Sequence, residues 1–227
     1  MGKGGVRMGK TVIFDLDGVI FASEQVVQQG WRYAAGKMQL GEIDQLFLQC
    51  VGTNHIFAEN LLQTQFGTQF SYEEFRRYTR EFFRSYITQH GLPVKPGVRE
   101  LMEYLKQNSY AIGLASSSTL QYILNGLRQA QLIDYFDVIV SGENLKRSKP
   151  EPDIYLMACE KMNVVPAEAY AIEDSYNGIR SASRAGMRPI MVPDLLPVTT
   201  EMEQLSCVVC SDLLEVRAYL QQEECKA

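Results

Sequence analysis

The chain has 227 residues, of which 46% are hydrophobic and 22% charged. That supports a real core, in one large domain or in a core with one insert, and excludes a disordered or collagen-like chain. With 22 basic and 27 acidic residues the net charge is −5, which argues against a broad nucleic-acid-binding face, because phosphate-backbone affinity rests on clustered Lys and Arg.

Taken in chain order, the start from Met1 to Met8 carries charge but no apolar stretch behind it, so no secretory signal is expected. Lys10 to Asp15 is a short β-branched and aromatic run that stops at an acid and a Gly; it reads as a buried strand followed by a loop. From about Glu24 to His90 only helical patterns occur. Ser71-Tyr72-Glu73-Glu74 is a capping-box signal ahead of Phe75, Tyr78, Phe82, Phe83 and Tyr86, an apolar stripe at helical spacing. Gly91, Pro93, Pro96 and Gly97 break that pattern.

The alternation then changes. Helix Val98–Gln107 leads to strand Tyr110–Ala115, and a helix over 118–130 to strand Phe136–Val140. Helix Pro152–Met162 leads to strand Ala169–Ile172, and helix Ser175–Ala185 to strand Pro189–Val192. A last strand, Cys207–Val209, precedes helix Ser211–Leu220. Strands alternating with amphipathic helices imply a parallel sheet covered on both faces. The expected fold is α/β: a Rossmann-like parallel-sheet core over residues 8–22 and 91–227, with a helical domain over 23–90 inserted after the first strand.

No apolar run approaches the roughly 18 residues of a membrane helix, so no membrane partner is expected. The five cysteines, at 50, 159, 207, 210 and 225, are odd in number and scattered, which suits a reducing, cytoplasmic setting better than a disulfide framework. Cys207-Val-Val-Cys210 has no second Cys pair or nearby His to complete a zinc site. It reads as a short strand whose two cysteines face opposite ways.

Ligands of open parallel sheets bind beyond the carboxyl ends of the strands, and four such ends here are polar. The first is Asp15-Leu16-Asp17-Gly18 and the second Ser116-Ser117-Ser118. The loop after the third holds Lys149-Pro150, and the fourth ends in Glu173-Asp174-Ser175. Four acids in one pocket would repel one another and raise their own pKa values. A hard divalent cation held through oxygen relieves this, and Mg²⁺ suits it best. Ser116 offers a hydroxyl beside backbone N–H groups that open a helix, a cradle for a phosphoryl oxygen. Lys149 supplies a fixed positive charge. Together these suggest phosphoryl transfer. Taken singly, each feature has an ordinary structural explanation: a turn, a helix cap, a solvated Lys, an acid pair at a helix start. Their coincidence at strand ends, in this order, is what carries the functional reading.

At these residues the chain resembles the haloacid dehalogenase superfamily, and within it the β-phosphoglucomutase-like group of phosphatases and mutases. Phe14 to Val19, Leu114 to Ser118, Ser148 to Asp153, and Ile172 to Ser175 with Gly178 resemble its four motifs in order. The resemblance spans about Lys10 to Leu220. It implies that Asp15 is the nucleophile that becomes an aspartyl phosphate, and that Asp17 is the acid and base, its carbonyl also ligating Mg²⁺. It further implies that Ser116 holds a phosphoryl oxygen, that Ser117 lies with the substrate, and that Lys149 balances charge beside Asp15. Asp174 would ligate the metal directly and Glu173 directly or through water. The helical insert corresponds to the family's cap, which is expected to close over the site and choose the substrate. Gly52, Thr53, Asn54 and His55 resemble its specificity loop. Gly178, inside a helix, is expected to permit a close approach to the sheet or the catalytic loop.

The second acid, Asp17, favours phosphate esters over carbon–halogen cleavage, because an alkoxide needs a proton to leave and a halide does not. A phosphatase and a phosphosugar mutase differ in what accepts the phosphoryl group. The resemblance places Val27 where the mutase carries a His, and Phe82 where it carries a Lys. Neither side chain can carry a proton. The expectation is a monomeric Mg²⁺-dependent phosphatase of small phosphorylated metabolites, with a mutase as the alternative and a catalytically silent binding module as the third reading.

Overall fold

The computed structural model describes residues 10–51 and 55–226. The described chain has two compact units, one running to Phe21 and resuming at Val94, the other Ala22–Pro93.

The first unit is built on six strands: β1 Thr11–Phe14, β2 Ala111–Ser116, β3 Val138–Ser141, β4 Ala169–Glu173, β5 Arg188–Met191 and β6 Val208–Val209. Their order across the sheet is β3-β2-β1-β4-β5-β6, and every pairing is parallel. Parallel pairing requires crossovers, and helices α5 Val98–Gln107, α6 Leu120–Gln129, α7 Asp153–Met162, α8 Tyr176–Arg184 and α9 Thr200–Leu205 supply them. Helix α10 Leu213–Glu224 is the last element among the described residues.

All four residues of β1 and all five of β4 are buried, as a sheet covered on both faces requires. Ile13, Ala115, Val140, Tyr155, Ala171 and Ala182 lie in one buried cluster between sheet and helices. Gly113 on β2 belongs to the same packing, since a Cβ there would meet Met162. The Cys207/Cys210 reading holds: the two residues flank β6, one exposed and the other buried.

One helix was not foreseen. No element is expected from the sequence between the strands Pro189–Val192 and Cys207–Val209, a stretch that holds Pro193 and Pro197. A short helix nonetheless forms where Thr199 caps it, its Oγ1 accepting from Met202 N at 3.3 Å. Met202 then packs on Ile179 and Met191.

The second unit holds α1 Ser23–Lys37, α2 Asp44–Cys50, α3 His55–Phe66 and α4 Tyr72–His90. The expected cap is in place: Ser71 Oγ accepts from Glu74 N at 3.2 Å. The aromatic stripe of α4 is packing. Trp31 on α1 stands edge-on to Phe47 and Phe75, with centroids 5.3 and 5.1 Å away. Gly30 brings α1 close to α4, because a Cβ there would sit 3.2 Å from the Thr79 carbonyl.

Candidate active site

The sheet order explains why distant residues meet. β1 lies between β2 and β4, with Phe14 aligned to Leu114 on one side and Ile172 on the other. The chain leaves all three strands at nearly one level, so Asp15, Ser116 and Glu173 emerge side by side. Asp15 N donates to Ile172 O at 3.0 Å, which carries the ladder up to the site.

Lys149 comes from the loop between β3 and α7 and ties the acids together. Its Nζ donates to Asp15 Oδ1 at 2.5 Å and to Glu173 Oε1 at 2.5 Å, and reaches the Ala115 carbonyl at 3.3 Å. Glu173 is fully buried. It also accepts from Tyr155 Oη at 2.6 Å and from Ser175 Oγ at 3.2 Å. Ser175 is itself the cap of α8, accepting from Gly178 N at 3.0 Å. Gly178 is where it is because a Cβ there would overlap the Glu173 carboxylate. The close approach expected at this glycine is therefore to an acid at a strand end.

Asp17 is held on the other side of the site. Ser118 Oγ donates to its Oδ2 at 2.8 Å and Tyr122 Oη to its Oδ1 at 3.1 Å. Ser116, almost fully buried, accepts from Ser118 N at 3.1 Å, which leaves its own O–H as a donor. Ser117 beside it is exposed. Gly18 has φ +82°, and a Cβ there would overlap the Asp174 carboxylate. Only glycine fits this turn without strain or collision.

Oxygen atoms of Asp15, Glu173 and Asp174 all lie within 4.8 Å of one another. Burial pushes the Asp15 carboxyl up to about 8; Lys149 opposes this, while Glu173 and Asp17 add to it. Burial also pushes Asp174 well above the usual carboxylate range, helped by the charges of Glu173, Asp15 and Asp194. Burial works against the Lys149 ammonium, but Asp15 and Glu173 outweigh it and hold it above the ordinary lysine range. Burial and Glu173 raise the Tyr155 hydroxyl, so it stays a donor. One ammonium thus faces three carboxylates, and two of these resist ionisation. An all-oxygen set with surplus negative charge fits a hard divalent cation.

The structure therefore brings together Asp15, Asp17, Ser116, Lys149, Glu173 and Asp174. Gly52, Thr53 and Asn54 lie outside the described residues. His55 opens α3 and is exposed. In the helical unit Arg80 borders a cavity of about 130 Å³ lined also by Trp31, Tyr72, Phe75, Arg76 and Thr79. Sequence reasoning missed Tyr155, Ser175, Ser118 and Tyr122 as partners of the acids. Ser118 and Ser175 sit within the quoted motifs, whereas Tyr155 and Tyr122 lie on helices and carry no local signal.

A phosphorylated carbohydrates phosphatase from Thermotoga maritima is 32% identical over 181 residues, covering 80% of this chain and 83% of that protein. The beta-phosphoglucomutase of Bacillus subtilis is 33% identical over 186 residues, covering 78% and 80%. The crystal structure of beta-phosphoglucomutase from Clostridium difficile superposes with a TM-score of 0.71 at 26% identity, covering 95% of this chain and 96% of that one. The profile of the haloacid dehalogenase-like hydrolases matches residues 12–192. With that match over most of its length, the chain belongs to the haloacid dehalogenase-like hydrolase family.

Proposed function

We propose that the protein is a Mg²⁺-dependent phosphatase of small phosphorylated metabolites, sugar phosphates foremost, working through an aspartyl phosphate on Asp15. The observation that carries the reading is the convergence of Asp15, Glu173 and Asp174 around Lys149. Asp15, Asp174 and the Asp17 carbonyl would hold the ion. Glu173 lies within reach, but both its oxygens already accept hydrogen bonds, so its part is to anchor Lys149. When bound, the cation supplies positive charge to the phosphoryl oxygens and keeps Asp15 ionised.

The residues divide the work as follows. The Asp15 carboxylate attacks phosphorus, and the bond from phosphorus to the ester oxygen breaks. Asp17 gives its proton to the departing alkoxide. Ser116 O–H and the neighbouring backbone donors hold phosphoryl oxygens, while Lys149 balances their charge. Asp17 then takes a proton from water, which attacks phosphorus and breaks the bond to Asp15, releasing phosphate. We assign the choice of leaving group to Gly52, Thr53, Asn54 and His55.

A phosphosugar mutase is the second reading, supported by the likeness to the Bacillus subtilis mutase. Val27, half-buried on α1, stands against it, because an aliphatic side chain cannot move a proton. A panel of phosphorylated metabolites, assayed for phosphate release and for isomerisation with and without chelator, tests both. Mg²⁺-dependent phosphate release that Asp15→Asn abolishes is the expected result. Isomerisation of β-glucose 1-phosphate faster than phosphate release would favour the mutase. Activity unaffected by chelator, or full activity in Asp15→Asn, would refute the mechanism.

A further inference from the structure

Lys95 and Asp194 take no part in the steps above, yet they are tied to the same loop. Lys95 Nζ donates to the Gly18 carbonyl at 2.7 Å and to Asp194 Oδ1 at 2.7 Å. The two side chains are only 15% and 6% exposed. Asp194 Oδ2 is buried and accepts no hydrogen bond from the described residues. The backbone of Lys95 grips the loop a second time, its N–H donating to Ile20 O at 2.9 Å, next to the Phe21–Val94 bridge. Gly18 is the residue that packs against Asp174 and follows Asp17.

A buried ion pair is a weak source of stability, since apolar residues of similar volume often serve as well or better. Stability therefore does not explain why this pair sits under the loop. Its geometry does. The Lys95 ammonium fixes the carbonyl of Gly18, the residue that follows Asp17 and packs on the Asp174 carboxylate, and Asp194 keeps that ammonium aimed.

We propose that Lys95 and Asp194 form a positioning pair that sets the Asp17–Gly18 turn, and with it the Asp17 carbonyl and carboxyl, against Asp174. This deepens the phosphatase reading and rests on it for its effect on turnover. Neither residue touches the substrate; both act through the turn.

Lys95→Met, Lys95→Met/Asp194→Asn and Lys95→Arg are compared with the wild type by thermal melting, by calorimetric titration with Mg²⁺, and by steady-state kinetics on the best phosphate ester of the panel. Lys95→Met leaves Asp194 buried without its counter-charge and lowers Tm; the double variant removes that charge, so Tm returns towards wild type. A role confined to stability would return function along with it. The proposal expects otherwise: in the double variant Mg²⁺ affinity and kcat each stay about tenfold to a hundredfold low, with KM little changed. Lys95→Arg, which also donates to Gly18 and Asp194, recovers part of both. Mg²⁺ affinity and kcat of the double variant within twofold of wild type would overturn the proposal. A wild type that binds Mg²⁺ but turns over no phosphate ester would sink the phosphatase reading alone, and the Mg²⁺ affinities would still decide the pair. A wild type that binds no Mg²⁺ would overturn both.

Discussion

Replacing Gly178 by Ala should destabilise this protein, although helix propensity alone argues the reverse. Ala in place of a helical Gly is worth roughly 0.5–1 kcal/mol in favour of folding. Gly178 is the third residue of α8, where that gain would normally apply. Its missing Cβ, however, is the space the Glu173 carboxylate occupies. The carboxylate cannot simply swing aside, because Lys149, Tyr155 and Ser175 hold it and it has no solvent to enter. Displacing it weakens two hydrogen bonds to a buried charge, from Lys149 and Tyr155, at roughly 1.5–3 kcal/mol each. Subtracting the propensity gain leaves a net loss of about 2–5 kcal/mol. Urea unfolding of the metal-free protein followed by circular dichroism measures it, as a lower midpoint at unchanged slope. Trp31 fluorescence is the wrong probe, since the one tryptophan lies in the helical unit. Turnover should fall at least tenfold as well, because Lys149 loses its anchor. A Gly178→Ala protein as stable as wild type, or more so, with full activity would refute the reasoning.

Asp15 makes stability depend on pH in a stated direction. Its carboxyl is raised from 3.8 to about 8, so between those values the native state binds the proton that the unfolded state has released. The metal-free protein then loses stability as pH rises through this window, by at most about 1.4 kcal/mol per pH unit for this group. Thermal melts without metal should show the wild-type Tm falling relative to that of Asp15→Asn as pH rises, and added Mg²⁺ should raise the wild-type Tm more at pH 8 than at pH 5; a wild-type Tm that rises relative to the variant with pH would contradict the assignment. Asp17→Asn should slow the single-turnover phosphorylation step roughly 10²–10⁴-fold on a sugar phosphate. The loss should be much smaller on nitrophenyl phosphate, whose leaving group needs no proton; equal losses on both would remove Asp17 from the proton path. Tyr155→Phe strips one donor from the buried Glu173 and should cost roughly 1.5–3 kcal/mol of unfolding free energy, read by the same urea titration; no change would mean the hydroxyl is not needed there.

The readable part of this protein was local. The short continuous apolar runs mark β1, β2 and β4, and a strand that stops at a polar residue announces a group at its carboxyl end, so Asp15, Ser116 and Glu173 stand out in the sequence. The Ser71 cap and the α4 stripe were likewise legible, because a helix buries residues one turn apart and satisfies its first N–H groups from its own sequence. The glycine at 178 announced a close approach without naming its partner.

What depended on the tertiary structure is every pairing across the chain. Tyr122 reaches Asp17 across 105 residues, and Lys95 reaches Asp194 across 99. Tyr155 and Glu173 are 18 residues apart on a helix and a strand. A helix periodicity that buries a tyrosine does not say which buried acid its hydroxyl meets. That follows from strand order, with β1 between β2 and β4, and strand order is a choice among packings that leave the same residues apolar. The division of labour among the acids follows for the same reason: three hydrogen-bond donors aimed at Glu173 and two at Asp17, and the Gly18 turn closed against Asp174, exist only once the sheet has been assembled.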